Sequence, residues 1–230
     1  MAALQTIIDN CNGMTINRRK VVGQQITRNQ IPRVSTTPTK NPWTMELDMP
    51  TSFQYNNARA LMESVDTLDR TGYEDVTFSN NADLSWIFRY QGTLPLTQLN
   101  GLLVSSFVGN QLILSGLPPI NQNRVIFEPN DLIQIAGFPY PFTSTTQVVR
   151  GTGATITITT HRPNIITSPT IVGLNILVGN NCIFRLFCPN MPVYKLIVGG
   201  RQLSAGGTLV GNALIEWSDP FQLYEYVGTS

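Results

Sequence analysis

The sequence predicts a mainly β fold: a β-sandwich or β-barrel main domain with one packed α-helix and a small β-barrel-like insert. Short segments that alternate apolar and polar residues, bounded by Gly, Pro or Asn, recur along the 230 residues. Only one segment has a strong helical period. Breaks in composition near residues 117 and 166 separate a block of very short strands from longer ones.

The N-terminal segment is predicted to form a short helix followed by two long, polar strands. Residues 3–11 can make one or two helical turns before a glycine. The strands are expected over 14–28 and over 43–49, where apolar and polar residues alternate. Residues 30–42 contain three prolines, so this stretch is predicted to be a long loop or an edge segment.

The helix is predicted from Tyr55 to Leu68. Its apolar residues recur at steps of three and four and form one stripe, namely Ala58, Leu61, Met62, Val65 and Leu68. Ser52 is expected to cap its start, and Gly72 follows its end. One amphipathic helix among many strands indicates a helix packed on a β-sheet.

The remaining strand patterns divide the chain into two predicted domains. The patterns cover 74–80, 83–92, 101–108, 110–116, four or five short strands between 123 and 163, then 170–179, 180–189, 192–200, 211–218 and 220–228. The expected organisation is a discontinuous main domain, 1–116 plus 167–230, with a small inserted β-module at 117–166. The spacing of the short strands suits a small barrel.

Charge is sparse along this chain. Lys and Arg number 15 and Asp and Glu 14, fewer together than the 33 side-chain amides of Asn and Gln. The net charge of +1 gives little self-repulsion and no field to steer polyanions. Amides and hydroxyls are cheaper to bury than charges when partners exist, so this composition favours a subunit that packs against copies of itself.

Catalytic and metal-binding patterns are absent from the sequence, so no enzyme, cofactor or metal site is predicted. The single histidine, His161, is expected to have a structural role, and with one histidine and no cysteine pair at ligand spacing a zinc site is not predicted. Carboxylate pairs such as Glu46 with Asp48 or Asp66 with Asp69 could serve a hydrolase, but any solvated strand or helix carries such pairs.

Three cysteines, without a metal-binding spacing, favour buried thiols in a reducing compartment, although a Cys182–Cys188 bridge is conceivable. The N-terminus lacks the pattern of a signal peptide, and no apolar run is long enough to span a membrane. The chain is therefore expected to fold in a cytoplasm.

Candidate contact residues lie in the first polar strands and in the hairpin that follows DLIQIAG; they are Arg18, Arg19, Lys20, Arg28, Arg33, Phe138, Tyr140 and Phe142. The basic positions are typical of a solvated strand or a self-association edge. They could also form a weakly positive surface near DNA, without base recognition. The aromatic positions are predicted to contact a neighbouring subunit or another protein.

The insert resembles a module of tailed-bacteriophage virion proteins in the distal-tail, tail-tube and baseplate group. The resemblance rests on Asp131–Ile135 with Gly137, then Tyr140, Gly151, Gly153–Ile156 and Arg162–Pro163. The run from 178 to 200, the closing 219–227, and Arg18 and Arg19 leading to Asn41-Pro42-Trp43 are also similar to that group.

This resemblance implies a structural virion protein that forms hexameric rings around a DNA channel and contacts other tail or baseplate proteins. Assembly would take place in the host cytoplasm, and the product would be a phage virion. A neck or capsid-decoration role is a close variant. The alternative function is a carbohydrate-binding β-module for receptor recognition.

The tryptophans and tyrosines give that alternative its candidate residues. Trp43, Trp86 and Trp217 alternate with polar residues and are expected to face the core. A carbohydrate-binding module instead predicts exposed rings at loops, for example Trp43, Tyr73 or Tyr140.

Overall fold

A computed structural model describes residues 2–18, 22–26, 32–36, 42–49, 53–81, 84–118, 123–167, 170–198, 202–203, 209–210 and 213–227. The fold is mainly β with several sheets and few helices, as predicted. The chain forms two compact units. The first comprises Met1–Asn17, Trp43–Leu84 and Arg185–Ser230, and the second comprises Arg18–Pro42 and Ser85–Phe184.

The helices are α1 (Ala3–Asn10), α2 (Tyr55–Thr71) and α3 (Leu96–Leu99), with a 3-10 turn at Gly179–Asn181. The strands are β1 (Gly13–Asn17), β2 (Val22–Ile26), β3 (Pro32–Thr36), β4 (Thr44–Asp48), β5 (Phe53–Gln54), β6 (Glu74–Val76), β7 (Leu103–Val108), β8 (Gln111–Ser115), β9 (Val125–Phe127), β10 (Leu132–Ile135), β11 (Phe142–Thr143), β12 (Val148–Val149), β13 (Ile156–Thr159), β14 (Ile176–Val178), β15 (Phe184–Phe187), β16 (Tyr194–Val198), β17 (Gln202–Leu203), β18 (Leu209–Val210), β19 (Ala213–Trp217) and β20 (Phe221–Glu225).

The first unit is built on a five-stranded sheet with the order β1-β4-β20-β15-β6. Its strands alternate buried and more exposed residues, because successive side chains of a strand point to opposite faces. Met45, Leu47 and Leu223 are buried on one face, whereas Thr44 and Glu46 lie on the other, more accessible face. We call this accessible face the open face.

The two longer helices belong to this unit. The helix predicted at 55–68 is confirmed as α2, and all five predicted apolar positions are buried. It ends where Gly72, with φ of 101°, donates its N–H to the Leu68 carbonyl; Ser52 lies outside the described residues. In α1, the carboxylate of Glu74 accepts the first two helical N–H groups, at 2.9 and 2.8 Å.

A second sheet of this unit, with the order β16-β19-β5, packs on α2 through β19 and β5. The strands β16 and β19 form a hairpin in which Tyr194 lies opposite Trp217 and Val198 opposite Ala213. The strands β17 and β18 pair with each other in a separate two-stranded sheet. The strand β16 therefore lies at one edge of the sheet.

The second unit packs three short sheets around one apolar core, and these sheets are β13-β8-β7, β11-β10-β14 and β12-β9; the hairpin β2-β3 also belongs to this unit. The predicted insert, 117–166, lies within this unit, which is larger than the module expected from sequence. Two strand pairs extend it: Ile156 pairs with Leu114, and Ile135 pairs with Ile176. Both pairs join residues on opposite sides of a predicted boundary.

The strand predicted over 83–92 is wrong. Residues 84–88 form consecutive turns instead, in which Leu84 and Phe88 are buried while Trp86 is 66% exposed. Spacing of four residues brings Leu84 and Phe88 inward and leaves Trp86 outside, so the expected core position of this tryptophan is also wrong. The proline-rich stretch contains β3, which begins at Pro32 and pairs with β2, in agreement with the edge-segment alternative.

Candidate functional site

Arg18 is the predicted basic residue whose side chain the structure describes. Its guanidinium is half-buried and donates hydrogen bonds to the hydroxyl of Thr143 and the side-chain oxygen of Asn130. Burial lowers the pKa of this guanidinium from its ordinary value. Arg18 therefore joins the β10–β11 region of the second unit.

Of the other predicted basic residues, only Arg33 lies within the part of the chain that the structure describes. Arg19, Lys20 and Arg28 lie outside the described residues. The backbone of Arg33 belongs to β3 and lies opposite Gln25 of β2, and its side chain is outside the described part. A positive surface at these positions remains a prediction.

The predicted aromatic contact residues pack in the core of the second unit. Phe142 is fully buried and Tyr140 is 8% exposed, while Phe138 is half-buried against the same core. The ring of Phe142 meets Phe107 edge to face at 4.9 Å, and the buried guanidinium of Arg162 lies 5.1 Å from its centroid. These rings stabilise the unit, and those of Tyr140 and Phe142 are not accessible to a partner.

The polar residues of the DLIQIAG segment also serve the fold. The carboxylate of Asp131 accepts the backbone N–H groups of Gln91 and Glu128, both at 2.8 Å. The amide of Gln134 donates to the carbonyl of Ile183 at 2.6 Å and accepts its N–H at 2.8 Å. Burial raises the pKa of Asp131. Both side chains satisfy the main chain of neighbouring loops, which buried polar groups require.

His161 has the structural environment that the sequence predicted. Its Nδ1 accepts the N–H of Thr143 at 3.0 Å, so the neutral ring carries its proton on Nε2. Burial, together with the nearby charges of Arg162 and Arg18, lowers the pKa of His161 to about 3. The neutral imidazole is therefore part of the packing beside Phe142.

All three cysteines are free and buried, so the conceivable Cys182–Cys188 bridge does not form. Burial raises the pKa of the Cys182 thiol, which disfavours the reactive thiolate.

The open face of the first unit arranges polar residues in two rows. Thr15, Glu46 and Gln222 lie directly opposite one another across β1, β4 and β20. The next row contains Asn17 of β1, Thr44 of β4 and Tyr224 of β20, and it continues to Phe187 of β15. Directly opposite residues have Cβ atoms about 5 Å apart, so each row can contact one ligand.

These rows form the floor of a groove. One cavity of about 220 Å³ lies over both rows, and a second, of about 420 Å³, extends to the loop at 190–193 and the turn at 218–220. The two cavities share Glu46 and Gln222. Their combined size is within the usual range of ligand sites, roughly 300–1,000 Å³. We call these two adjoining cavities the open-face groove.

The described residues that line the open-face groove are uncharged apart from two carboxylates. Their polar groups are hydroxyls, amides and the carboxylates of Glu46 and Asp219, Tyr224 is the aromatic ring, and no lysine or arginine is among them. Within the described part of the chain, Glu46 and Gln222 form no side-chain hydrogen bond. These two groups therefore have free hydrogen-bonding capacity in the groove.

Aromatic rings continue the open face beyond the groove. Phe187 lies 5.9 Å from Tyr224 and meets Tyr226 edge to face at 6.1 Å. Tyr226 in turn stacks on Tyr73 at 4.7 Å. A bidentate ion pair between Arg185 and Asp75, with distances of 2.7 and 2.8 Å, borders the rings.

Of the three rings that a carbohydrate-binding module predicted to be exposed, only Tyr73 is exposed. Trp43 is 2% exposed and Tyr140 is 8% exposed, so both are in the core. Tyr73 is 43% exposed and belongs to the aromatic row described above. The sequence reasoning missed Tyr224 and Gln222, although their alternation with buried residues in the FQLYE strand could have identified them.

The edge strand β16 is exposed on both faces. Its residues Tyr194, Leu196 and Ile197 are 39%, 40% and 40% exposed, and Leu214 opposite Ile197 is 41% exposed. No strand other than β19 pairs with β16 among the residues that the structure covers. An apolar strand with an open edge is a site for pairing with another chain.

Comparison with known proteins identifies no family. The chain matches no protein-family model, and no curated protein is significantly similar to it. In the described residues, no group of three or more His, Cys, Asp or Glu side chains is placed to hold a metal ion. No helix within the described ranges has the length and apolar character needed to cross a membrane.

Proposed function

We propose that this chain is a non-enzymatic structural subunit of a phage tail or baseplate, which joins copies of itself into a ring around the DNA channel. The observation that carries the proposal is the edge strand β16, where Tyr194, Leu196 and Ile197 are each about 40% exposed. Main-chain pairing at this edge, reinforced by apolar contact, would link neighbouring subunits.

Composition supports a second copy as the occupant of this edge. The net charge of +1 adds little repulsion between identical chains. Lys195 lies opposite Glu216 in the hairpin. These opposite charges, which lie beside the apolar residues, therefore offset each other within one subunit. A closed ring would give every edge a partner, which removes the aggregation hazard of an open strand.

The place in a virion comes from the sequence resemblance, which covers most of the chain: the N-terminal pattern from Arg18 to Trp43, residues 131–163 and the C-terminal strands. It also supplies the proposed partners, which are other tail or baseplate proteins, and the proposed assembly in the host cytoplasm. Proximity to DNA in the channel would involve Arg19, Lys20, Arg28 and Arg33. Arg18 is engaged with Thr143 and Asn130.

The test is the solution mass of the purified protein by light scattering over a wide concentration range. We expect a closed species of about six subunits or a tube built from it, as cyclic symmetry allows. The variant Ile197→Lys should remain monomeric, because a charge on an edge strand blocks pairing.

Val108→Lys is the matched control, since Val108 is 76% exposed on β7 of the other unit; it should assemble like the wild type. A wild-type protein that is monomeric at every concentration would contradict self-assembly. Equal assembly by Ile197→Lys would show that another surface joins the subunits.

A further inference from the structure

We infer that the open-face groove binds a neutral oligosaccharide. The groove lies over the five-stranded sheet and reaches the loop at 190–193 that precedes β16, whereas the proposed assembly edge is the unpaired side of β16 itself. Tyr224 would stack on a sugar ring, and Glu46, Gln222 and Thr44 would bond its hydroxyl groups.

The first step of the argument is charge. Among the described residues that line the groove, two are carboxylates and none is a lysine or an arginine. The carboxylates of Glu46 and Asp219 disfavour phosphate, sulfate and carboxylate ligands, because anion sites usually have cationic side chains or clustered N–H donors. No group of three metal-ligating residues lies among the described positions, which argues against a cation site. A neutral ligand remains.

The second step is hydrogen-bonding capacity. Glu46 and Gln222 lie side by side on β4 and β20, and neither side chain is bonded within the described residues. A carboxylate accepts two or more hydrogen bonds, and an amide both donates and accepts. Vicinal hydroxyl groups of a sugar also donate and accept, so they match this adjacent pair. Thr15 extends the row across β1.

The third step is the aromatic wall. Tyr224 lies at the end of the groove, next to Thr44, and its ring is 5.9 Å from that of Phe187. An aromatic ring offers apolar area and one polar end, which suits the C–H face and the hydroxyl rim of a sugar. The groove continues past one ring-sized cavity towards residues 190–193, so it suits a chain of sugars.

The experiment is binding of the full chain to an array of neutral glycans that contains α- and β-linked hexoses and N-acetylhexosamines, followed by calorimetry with the best binder. Maltohexaose, cellohexaose and chitohexaose serve as soluble probes, and a sulfated heparin hexasaccharide serves as the anionic comparison. We expect saturable binding of a neutral glycan and none of heparin. The variants Gln222→Leu and Tyr224→Ala should each weaken binding roughly tenfold, the equivalent of one or two hydrogen bonds or one stacked ring.

Two exposed residues provide matched controls. Gln98→Leu on α3 and Trp86→Ala in the turn at 84–88 remove an amide and an aromatic ring outside both the groove and the assembly edge, and they should leave the affinity unchanged. Unchanged unfolding midpoints would show that the groove variants are folded. Failure of every neutral glycan to bind overturns the inference. So does tighter binding of heparin, or binding that both groove variants retain. A monomeric protein could still bind, so this test and the assembly test fail separately.

Discussion

The strands β10 and β20 both place a glutamine among apolar residues, but the two glutamine side chains differ in burial and in hydrogen bonding. Gln134 of β10 is 1% exposed, and both ends of its amide bond the main chain of Ile183. Gln222 of β20 is exposed and faces the open-face groove. The strand β10 is central in its sheet and buried along its length, whereas β20 is buried on one face.

The difference shows how an amide-rich chain can separate structure from binding. A polar side chain in a strand buried on both faces must form its hydrogen bonds within the protein itself. If it does not, the unsatisfied group lowers the free energy of unfolding. A polar side chain on an open face is satisfied by water and can exchange that water for a ligand. The same residue type is therefore a fold determinant in one unit and a candidate ligand contact in the other.

The largest expected effect on stability is at Asp131, whose carboxylate accepts hydrogen bonds from two backbone N–H groups. Asp131→Ala should destabilise the second unit by about 3 kcal/mol, because both part-buried N–H donors lose their acceptor. Urea unfolding followed by circular dichroism measures the loss. Asp219→Ala in the open-face groove is the control and should change stability by less than about 0.5 kcal/mol. Equal effects would contradict the assigned structural role of Asp131.

A loss of folding stability of similar size is expected at acidic pH. The pKa of His161 is lowered to about 3 in the folded protein, so the unfolded chain binds the proton more readily below its ordinary value of 6.5. Stability should therefore fall as the pH drops from about 6.5 towards 3, by about 1.4 kcal/mol per pH unit where the difference is full. Protonation of Nδ1 also removes the acceptor for the Thr143 N–H.

The variant His161→Asn isolates this contribution, since its side-chain oxygen can accept the same N–H without titrating. Its unfolding free energy should lose the slope between pH 6 and 4. The raised pKa of Asp131 acts in the opposite direction near pH 4 and is common to both proteins. A slope that is identical in wild type and variant would contradict a buried neutral histidine.

The third effect compares the two glutamines directly. Gln134→Leu should cost about 2 kcal/mol, because the N–H and carbonyl of Ile183 lose their partners. Gln222→Leu should be close to neutral in stability, although it weakens glycan binding. Denaturant midpoints of the two variants give the comparison. Similar midpoints would mean that Gln134 is not required by the buried strand.

The smallest effect is expected at the exposed ion pair. Asp75→Asn removes the negative charge from the bidentate ion pair with Arg185. The Asp75 side chain is 44% exposed. Exposed ion pairs contribute about 0–1 kcal/mol and are screened by salt. The difference from wild type should therefore shrink further in high salt. A loss that persists in high salt would indicate that the pair orders the rings of Tyr73 and Tyr226.

Sequence alone predicted the elements that follow a strict period. The helix α2 was found because five apolar residues share one stripe, and β4 and β20 because their residues alternate. The turn at 84–88 was missed because Leu84, Trp86 and Phe88 also fit an alternating pattern. Only the packing of Leu84 and Phe88, with Trp86 outside, distinguishes the two.

The candidate sites were harder to predict than the fold. Phe138, Tyr140 and Phe142 have the aromatic, proline-flanked pattern of a contact loop, but tertiary packing buries the last two. The open-face groove depends on which strands become neighbours. Thr15, Glu46 and Gln222 are far apart in the chain, and they meet only because β1, β4 and β20 are adjacent. Local patterns contain no information on that order.

The burial of Cys11, Cys182 and Cys188 makes site-specific labelling of this protein straightforward. Each thiol is 7% exposed or less, so a maleimide dye should react slowly with the native chain. A cysteine introduced on the exposed strand β16 would then be modified almost alone, without removal of the natural ones. Energy transfer between dyes on neighbouring subunits could follow the joining of chains in real time.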